Sequence, residues 1–413
     1  MKILHVVHGY QPSVGGSQWL IQNLSEQLVS RYRDEVTVFT TVAYNMGHFW
    51  GEPGPVMPAS IEKINGVIVR RFPVFNRLSV LRLVLAGLTT RLNLPYNDWF
   101  RTLYNGPIIF NLQKAIAQSG AEVILACAFP LRHMYDTLAA ARQARIPIVL
   151  LGAIHAEDRW GYERKMMFQA IQQADAYIAL TAFERDFLIG RGIKPQKLFV
   201  IGGGVNNQLF QEADGGDFRA RYGWGDSPVI TSIGKYVARK RFDILLAAMP
   251  HVWAVYPETK LVIAGAKGPF FAQVSTLIQD LSPKQQSQIT LMTDFSEAQK
   301  PALLAASDIF VLPSEAESFG IAFVEAWACR RPVIGARMGA VASLIDEEKD
   351  GLLFTCGDVG DLARAISTLL AAPQQRTQMG EAGFQKVLAN YTWDIVVERT
   401  RSVYQSVIVH HNE

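Results

Sequence analysis

The amino-acid sequence predicts an α/β protein built from two doubly wound parallel sheets, each in a domain of its own. Short apolar, β-branched runs alternate with longer amphipathic segments almost throughout the chain, which is the pattern of βαβ units. The 413 residues exceed what one ordinary hydrophobic core accommodates. Three consecutive glycines at 202–204 interrupt the alternation, and we expect a domain boundary there.

The apolar runs divide into two sets, each long enough for a sheet. In the first half, strands are predicted at 3–7, 36–40, 67–70, 123–126, 148–151, 176–180 and 198–201. In the second half, they are predicted at 229–233, 261–265, 289–292, 309–312, 332–335 and 352–354. The predicted domains are therefore 1–205, with an irregular insertion at about 44–111, and 206–391. A C-terminal helix at about 392–413 is expected to cross back and complete the first domain.

Composition excludes several classes of protein. Forty Lys and Arg against 37 Asp and Glu leave a net charge of +3, too little for the concentrated basic face of a nucleic-acid-binding protein. The three cysteines, Cys127, Cys329 and Cys356, have neither disulfide-framework nor zinc spacing, so we expect reduced packing residues. The N-terminus starts with a strand pattern rather than a signal peptide, and no run reaches the length of a membrane span. These features predict a cytoplasmic protein.

Residues 77–92 form an apolar stretch with several arginines and no acid. Since the stretch is hydrophobic on nearly every side, the favoured interpretation is a core-packed helix whose arginines extend to solvent. The alternative is an interfacial helix that brings the protein to the inner face of the cytoplasmic membrane.

The window 313–326 directly follows the predicted strand 309–312, so it lies where open α/β sheets bind ligands. Gly320 is expected at the start of a helix, where free amides suit a phosphate or a sugar hydroxyl. Glu317 lies in the loop and Glu325 in the helix, and a carboxylate can accept hydrogen bonds from vicinal hydroxyls. Two glutamates eight apart are also common on solvated helix faces, so the spacing alone leaves both interpretations open.

A second cluster lies at the turn after the predicted strand 229–233. Lys235, Arg239, Lys240 and Arg241 are four cations with no local acid before Asp243. Such a cluster is either solvated or neutralised by an anion, and a diphosphate is the natural counterion. An exposed basic turn is the alternative.

Two features of the first half are compatible with ligand contact. Gly15 and Gly16 separate the first strand from a helix, and glycines let backbone amides approach a ligand, although the three-glycine dinucleotide fingerprint is missing. His155 follows the predicted strand 148–151 and could hydrogen-bond a sugar hydroxyl. A lone histidine is more often structural.

Taken in order, these motifs resemble the GT-B superfamily of glycosyltransferases, and most closely its family 4. The shared motifs are the Gly15-Gly16 turn, His155, the glycines ahead of the linker, the Gly234-Lys235 to Lys240 turn, and the Glu317–Glu325 pair. The resemblance spans nearly the whole chain except 44–111. It implies two Rossmann-like domains that face each other across a cleft, with the acceptor bound by the first and the nucleotide sugar by the second.

The resemblance also implies an activity: retaining transfer of a hexosyl unit from a UDP- or GDP-sugar to a hydroxyl of a glycan, lipid-linked or other acceptor. Bacterial polysaccharide or envelope glycan synthesis is the expected setting, with no metal and no cofactor. By this resemblance Glu317, His155 and Lys240 are the catalytic residues. The donor-binding residues it implies are Glu317, Ser318, Phe319 and Gly320 for the sugar, Glu325 for the ribose, and Lys235, Lys240, Gly15 and Gly16 for the diphosphate.

The sequence departs from the family pattern at three places. Lys235 stands where arginine is usual, Gly202-Gly203 replaces a Pro-Asn pair, and Ser343 replaces a glutamate that contacts the donor sugar. Two other functions stay open on these residues: a nucleotide-sugar epimerase of the same architecture, and a non-catalytic nucleotide-sugar-binding scaffold.

Overall fold

The computed structural model describes residues 1–13, 15–293 and 295–412. The chain forms two compact units. The first comprises Met1–Gly202 together with Trp393–Glu413, and the second comprises Gly203–Thr392. Each unit is built around its own largely buried and mostly parallel sheet.

In the described part of the first unit, the sheet has eight strands in the order β3-β4-β2-β1-β5-β6-β7-β8. All neighbours are parallel except β3 and β4. The strands are β1 (Lys2–Val7), β2 (Glu35–Thr41), β3 (Ile61–Ile64), β4 (Val67–Phe72), β5 (Val123–Cys127), β6 (Ile148–Leu151), β7 (Ala176–Ala179) and β8 (Leu198–Val200).

The second unit, so far as it is described, has six parallel strands in the order β11-β10-β9-β12-β13-β14. This is the order of a doubly wound fold, in which the direction of winding reverses between β9 and β12. The strands are β9 (Val229–Ile233), β10 (Lys260–Ala264), β11 (Ile289–Met292), β12 (Ile309–Leu312), β13 (Val333–Ala336) and β14 (Gly351–Phe354).

Helices connect the strands as βαβ crossovers. Within the first unit they are α1 (Gly16–Tyr32), α2 (Ser79–Arg91), α3 (Asn97–Asn105), α4 (Leu112–Ala117), α5 (Arg132–Ala144), α6 (Arg159–Tyr162), α7 (Lys165–Gln173) and α8 (Ala182–Ile189). Those of the second unit are α9 (Asn207–Gln211), α10 (Gly216–Tyr222), α11 (Phe242–Val255), α12 (Phe271–Gln279), α13 (Pro283–Gln286), α14 (Lys300–Ala306), α15 (Ile321–Ala328), α16 (Gly339–Leu344), α17 (Val359–Ala371) and α18 (Pro373–Asn390). The last helix, α19 (Trp393–Asn412), returns to the first unit. Short 3-10 turns lie at Met46–Trp50, Pro195–Lys197, Ala238–Lys240 and Glu297–Gln299.

The predicted fold class, two doubly wound α/β domains, is confirmed, and a strand is found at every predicted position. Strand β3 was not predicted. Ile61, Glu62 and Lys63 are all exposed at the antiparallel edge of the sheet, so the strand has no apolar run by which a sequence pattern could reveal it. Together with β4, α2 and α3, it gives regular structure to much of the stretch at 44–111.

Helix α2 contradicts the favoured interpretation of residues 77–92. The side chains of Arg82, Ala86 and Thr89 are buried, whereas the large apolar side chains of α2 are mostly exposed. The guanidinium of Arg82 donates to the carbonyl oxygens of Phe49 (3.0 Å) and Leu103 (3.3 Å). The helix is therefore not core-packed, because the side that it turns to the protein is its most polar one.

Helix α19 packs against α1, as the rings of Trp393 and Trp19 show with centroids 5.4 Å apart. The Tyr404 hydroxyl lies 3.0 Å from Nε2 of His5. Through these contacts, the apolar side of α19 packs against the core of the first unit. Among the described helices, none combines the length and apolar content that a transmembrane span requires.

Candidate functional site

The candidate site lies at the carboxyl end of the second sheet, where its strand order reverses. Strands β9 and β12 are neighbours, with Ile230 opposite Ile309 and Thr231 opposite Phe310. The basic turn at 234–241 follows β9, and the loop at 313–320 follows β12. The two segments that were singled out from the sequence therefore emerge side by side, at the position where doubly wound sheets bind their ligands.

The centre of the site is an ion pair between Lys240 and Glu317. Their side chains are only 12% and 10% exposed, so the pair is largely removed from water. An ion pair with so little solvent is screened far less than a surface pair, and each partner holds the other in a defined position. Structure thus brings together two residues that are 77 positions apart in the chain.

Backbone groups join the same two segments. The amide of Glu315 donates to the carbonyl oxygen of Arg239 at 2.9 Å, and the Ser314 hydroxyl donates to the same oxygen at 3.1 Å. In the other direction, the Arg239 guanidinium donates to the carbonyl oxygen of Ala316 at 2.9 Å. These bonds fix the two loops to each other, so the ion pair has a preorganised frame.

In the structure, carboxylates lie beside two of the four cations of the basic turn. Arg241 pairs with Asp243 at 3.1 Å and with Glu315 at 3.2 Å, and Lys240 pairs with Glu317. The loop after β12 supplies two of these carboxylates, which no local sequence window could show. Within the described residues, Lys235 and Arg239 are the members of the cluster that are exposed and make no ion pair.

The pKa of Glu317 reflects this environment. Burial alone would raise the pKa of its carboxyl, but the charges of Lys240 and Arg239 and hydrogen bonds from Lys240 and Ser314 outweigh burial and lower the pKa below its ordinary value. Glu317 is therefore a carboxylate at neutral pH. A permanent negative charge in this loop can accept hydrogen bonds from hydroxyl groups.

Glu325 lies on α15, buried, and pairs with Lys300 of α14 at 2.9 Å. Its Oε1 accepts from the ammonium, while Oε2 is buried and has no hydrogen-bond partner among the described residues. Burial raises the pKa of Glu325, and the charge of Lys300 only partly opposes this effect. A buried carboxylate oxygen without a donor is costly, and a hydrogen bond from a ligand to Glu325 would remove that cost.

Lys300 is a residue that sequence reasoning missed. It is buried at the start of α14, whose remaining residues are Pro, Ala and Leu. A single cation in an otherwise apolar helix is the signal that could have identified it, since a buried lysine requires a carboxylate partner.

Gly320 is the N-cap residue of α15, as expected, with a φ of 92° that favours glycine. A Cβ there would lie 2.8 Å from the Phe323 ring. Phe319 is buried and meets the Tyr391 ring with centroids 5.5 Å apart, and a Cβ on Gly203 would lie 3.1 Å from the Phe319 ring. The linker glycine therefore permits close packing against the loop. Ser318 lies half-buried between Glu317 and Phe319.

Ser343 lies within α16, and its hydroxyl donates to the carbonyl oxygen of Ala340 at 3.0 Å. The hydroxyl is thus used inside its own helix. Ser343 therefore does not supply the hydrogen-bond acceptor that the family's glutamate provides at this position.

The remaining predicted site residues lie in the first unit. Gly15 precedes α1 in an extended conformation, and Gly16 is the first helical residue. A Cβ on Gly16 would meet nothing within 4 Å, so its surroundings are open. His155 follows β6 and lies half-buried against the Tyr162 ring, with centroids 5.8 Å apart. Their predicted roles beside the second-unit residues stay predictions.

A further histidine, His8, follows β1 directly and was missed from the sequence. It is buried beside His133, with ring centroids 6.1 Å apart. Burial and the neighbouring His133 lower the pKa of His8 to about 3. Its imidazole is therefore neutral at physiological pH, and its position at the end of an apolar strand was the available signal.

Two doubly wound units, with a carboxylate and an ammonium at the switch point of the second sheet, match the architecture of the GT-B class of glycosyltransferases that the sequence motifs resemble. Comparison with family models agrees with this class. Residues 14–209 match the model described as Glycosyltransferase Family 4, and residues 216–386 match Glycosyl transferases group 1. The chain belongs to this family of glycosyltransferases.

Curated relatives are similar over part of the chain. A GDP-mannose-dependent alpha-(1-6)-phosphatidylinositol monomannoside mannosyltransferase of Mycolicibacterium smegmatis is 32% identical over 182 residues, 42% of this chain and 47% of the relative. A D-inositol 3-phosphate glycosyltransferase of Segniliparus rotundus is 28% identical over 243 residues, 58% of this chain and 54% of the relative. The matched part thus spans about half the length of these relatives.

Solved structures share the fold over nearly the whole chain. Anabaena Alr3699/HepE in complex with UDP and glucose has a TM-score of 0.73 at 18% identity, covering 98% of this chain and all of its own. Sucrose-phosphate synthase from Thermosynechococcus elongatus has a TM-score of 0.74 at 20% identity and covers 99% of each chain. At these identities the likeness establishes the fold.

Proposed function

We propose that the protein is a retaining glycosyltransferase. It transfers a hexosyl unit from a nucleoside diphosphate sugar, linked to UDP or GDP, to a hydroxyl of a glycan or lipid-linked acceptor in bacterial polysaccharide or envelope glycan synthesis. The observation that carries the proposal is the buried Lys240–Glu317 pair at the switch point of the second sheet. A similar chain is a GDP-mannose-dependent mannosyltransferase, and a similar structure holds UDP and glucose, which supports this class of donor.

In the proposed reaction, the bond between the anomeric carbon and the diphosphate oxygen breaks, and a bond to the acceptor hydroxyl oxygen forms. Negative charge grows on the departing diphosphate as this happens. Lys240, held in place by Glu317, and the exposed Lys235 would stabilise that charge. In this proposal the two ammonium groups supply the positive charge that is needed, without a metal ion or a cofactor.

The acidic residues have separate proposed roles. Glu317 and the amides of Ser318, Phe319 and Gly320 hold the donor sugar. Glu325 accepts a hydrogen bond from the ribose through its second carboxylate oxygen, which no described residue contacts by a hydrogen bond. The hydrogen-bonding chemistry supports this assignment, because the hydroxyl groups of the sugar and the ribose can donate and both carboxylates can accept.

The first unit is proposed to bind the acceptor. Gly16, with its open surroundings, and Gly15 would let backbone amides approach the diphosphate, and His155 would position the donor sugar.

The proposed location is the cytoplasm, where thiols stay reduced. Two of the three free cysteines, Cys127 and Cys329, are buried as thiols.

The test combines donor turnover with nucleotide binding. The protein is incubated with UDP- and GDP-sugars, and sugar release or transfer is followed together with the anomeric configuration of the product. Lys240→Gln is expected to lower turnover at least about 100-fold, the usual cost of losing a charge-stabilising group at a leaving oxygen. Lys284→Gln, an exposed lysine on α13, is the matched control and should turn over normally.

Lys240→Gln leaves the largely buried carboxylate of Glu317 without its cation, so this variant could fail to fold. Lys235→Gln is therefore a second variant that tests the diphosphate role. Lys235 is exposed, so its replacement does not endanger folding, and it is expected to weaken UDP or GDP binding measured by calorimetry. Normal turnover in a folded Lys240→Gln protein would overturn the diphosphate role. A product with inverted anomeric configuration would overturn the retaining mechanism. Epimerisation of the donor sugar in the absence of an acceptor would indicate an epimerase. Tight binding of the nucleotide sugar without turnover would indicate a non-catalytic scaffold.

A further inference from the structure

Helix α2 has its apolar side on the outside of the protein. Five side chains, which we call the outer face of α2, are between 48% and 74% exposed, namely Val80, Leu81, Leu83, Val84 and Leu88. The opposite side is formed by the buried Arg82, Ala86 and Thr89. Single exposed apolar residues are ordinary, but a contiguous set of this size on one helix indicates a surface that another body covers.

The apolar surface continues past the end of the helix. Leu92, Leu94 and Tyr96 are 56%, 41% and 78% exposed, and Trp99 at the start of α3 is 46% exposed. Tyrosine and tryptophan have an apolar ring and a polar edge, so they suit the boundary between lipid and water. The aliphatic helix and the aromatic turn that follows it thus have the composition of an interfacial element.

Charge distinguishes the two bodies that could cover this face, a second copy of the chain and an anionic lipid surface. Arg77 and Arg91 are exposed at the two ends of the outer face of α2, and in the described part of the chain neither guanidinium forms an ion pair. No acidic residue occurs between Glu62 and Asp98. A second copy packed two-fold symmetrically on this face would bring guanidinium groups together without a carboxylate between them. An anionic surface, in contrast, complements both arginines.

We propose that the outer face of α2 lies in the surface of an anionic phospholipid bilayer. Its valines and leucines enter the upper acyl region, while Arg77 and Arg91 donate to headgroup phosphates. The buried contacts of Arg82 with Phe49 and Leu103 anchor the helix to the protein, so the helix is held outward before it meets the lipid. This proposal does not rest on the transferase activity.

The experiment is flotation of the whole protein with phosphatidylcholine vesicles that contain or lack phosphatidylglycerol, at low and high salt. The native protein should float with the anionic vesicles at low salt. Val80→Ser/Leu88→Ser should weaken binding by at least about tenfold, since each substitution removes methyl groups that enter the lipid when the protein binds. Arg77→Gln/Arg91→Gln should weaken it by about tenfold or more and remove its dependence on phosphatidylglycerol.

Matched controls change the same kind of residue elsewhere. Val255→Ser/Leu209→Ser replaces two apolar side chains that are 65% and 53% exposed in the second unit, and Lys114→Gln/Lys194→Gln removes two exposed cations from the first. Both should bind like the native protein. No flotation at low salt, or equal binding by all variants, would overturn the proposal. A native dimer that Val80→Ser/Leu88→Ser converts to a monomer would also overturn it, because the face would then belong to a second copy.

Discussion

Replacing Lys300 by methionine tests the buried pair that holds Glu325. The ammonium and the carboxylate lie 2.9 Å apart, with side chains 9% and 4% exposed. At an effective dielectric constant of about 20, their attraction is about 6 kcal/mol, part of which offsets the desolvation of the two charges. Lys300→Met leaves the carboxylate buried and uncompensated, so the free energy of unfolding of the second unit should fall by about 3–5 kcal/mol near pH 8.

The loss should depend on pH in a defined direction. The pKa of Glu325 is already raised in the native protein, and removal of Lys300 raises it further. A carboxyl whose folded pKa lies above its unfolded value stabilises the fold at low pH and loses that contribution as pH rises through the folded pKa. The variant should therefore recover much of its stability near pH 5, where the buried carboxyl is protonated in the folded state and no uncompensated charge is buried.

Urea unfolding near pH 8 and pH 5 measures the effect, with hydrogen exchange of α14 and α15 assigning it to the second unit. Lys300→Met/Glu325→Met should recover most of the loss, since two apolar side chains need no partner. Arg364→Met, which breaks the exposed pair with Asp361, is the matched control and should cost less than about 1 kcal/mol. A loss below about 1 kcal/mol in Lys300→Met, or the same loss at both pH values, would refute the reasoning.

Three further predictions concern stability. Gly383→Ala places a Cβ inside van der Waals distance of the buried Trp327 ring, so the second unit should lose about 3 kcal/mol or more in urea unfolding. Gly87→Ala, on the exposed side of α2 with nothing within 4 Å, should instead gain about 0.5–1 kcal/mol; a loss there would contradict the helical surroundings described above. Burial raises the pKa of Glu184 from 4.5 to about 7 despite its hydrogen bonds from Tyr177 and backbone amides, so the first unit should lose about 3 kcal/mol as pH rises from about 4 to 8. Glu184→Gln should flatten this pH dependence in thermal melts, and an unchanged slope would assign it to another group.

Most of the fold could be predicted because the strands of a buried parallel sheet must be apolar on both faces. Each such run stands out from its surroundings, as Val123–Cys127 and Ile309–Leu312 do, with every residue buried. Strand β3 escaped prediction since it lies at an edge and its residues are exposed. The helix at 79–91 was located correctly, but its orientation was not, because a segment that is apolar on nearly every side does not show which side packs.

The candidate site could be predicted in part. Its two loops were found because each follows a strand, and the carboxyl ends of parallel strands share one edge of the sheet. The neutralisation of the basic turn by Glu315 and Glu317 was not predicted, nor was the partner of Glu325. Lys300 carries no motif of its own, and its importance follows only from burial beside a carboxylate.

By itself, the sequence determined the number, order and spacing of nearly all strands, the two-unit organisation and the loops that carry polar side chains. These follow from local patterns: apolar runs, glycines at turns and charged residues after strands. Only the tertiary structure decided which charges meet. Lys240 and Glu317 are 77 residues apart and Lys300 and Glu325 are 25 apart, and each pair forms because the winding of the sheet brings its elements together. Which side of α2 faces the protein was likewise decided by packing, since carbonyl oxygens of neighbouring segments hold the Arg82 guanidinium inside.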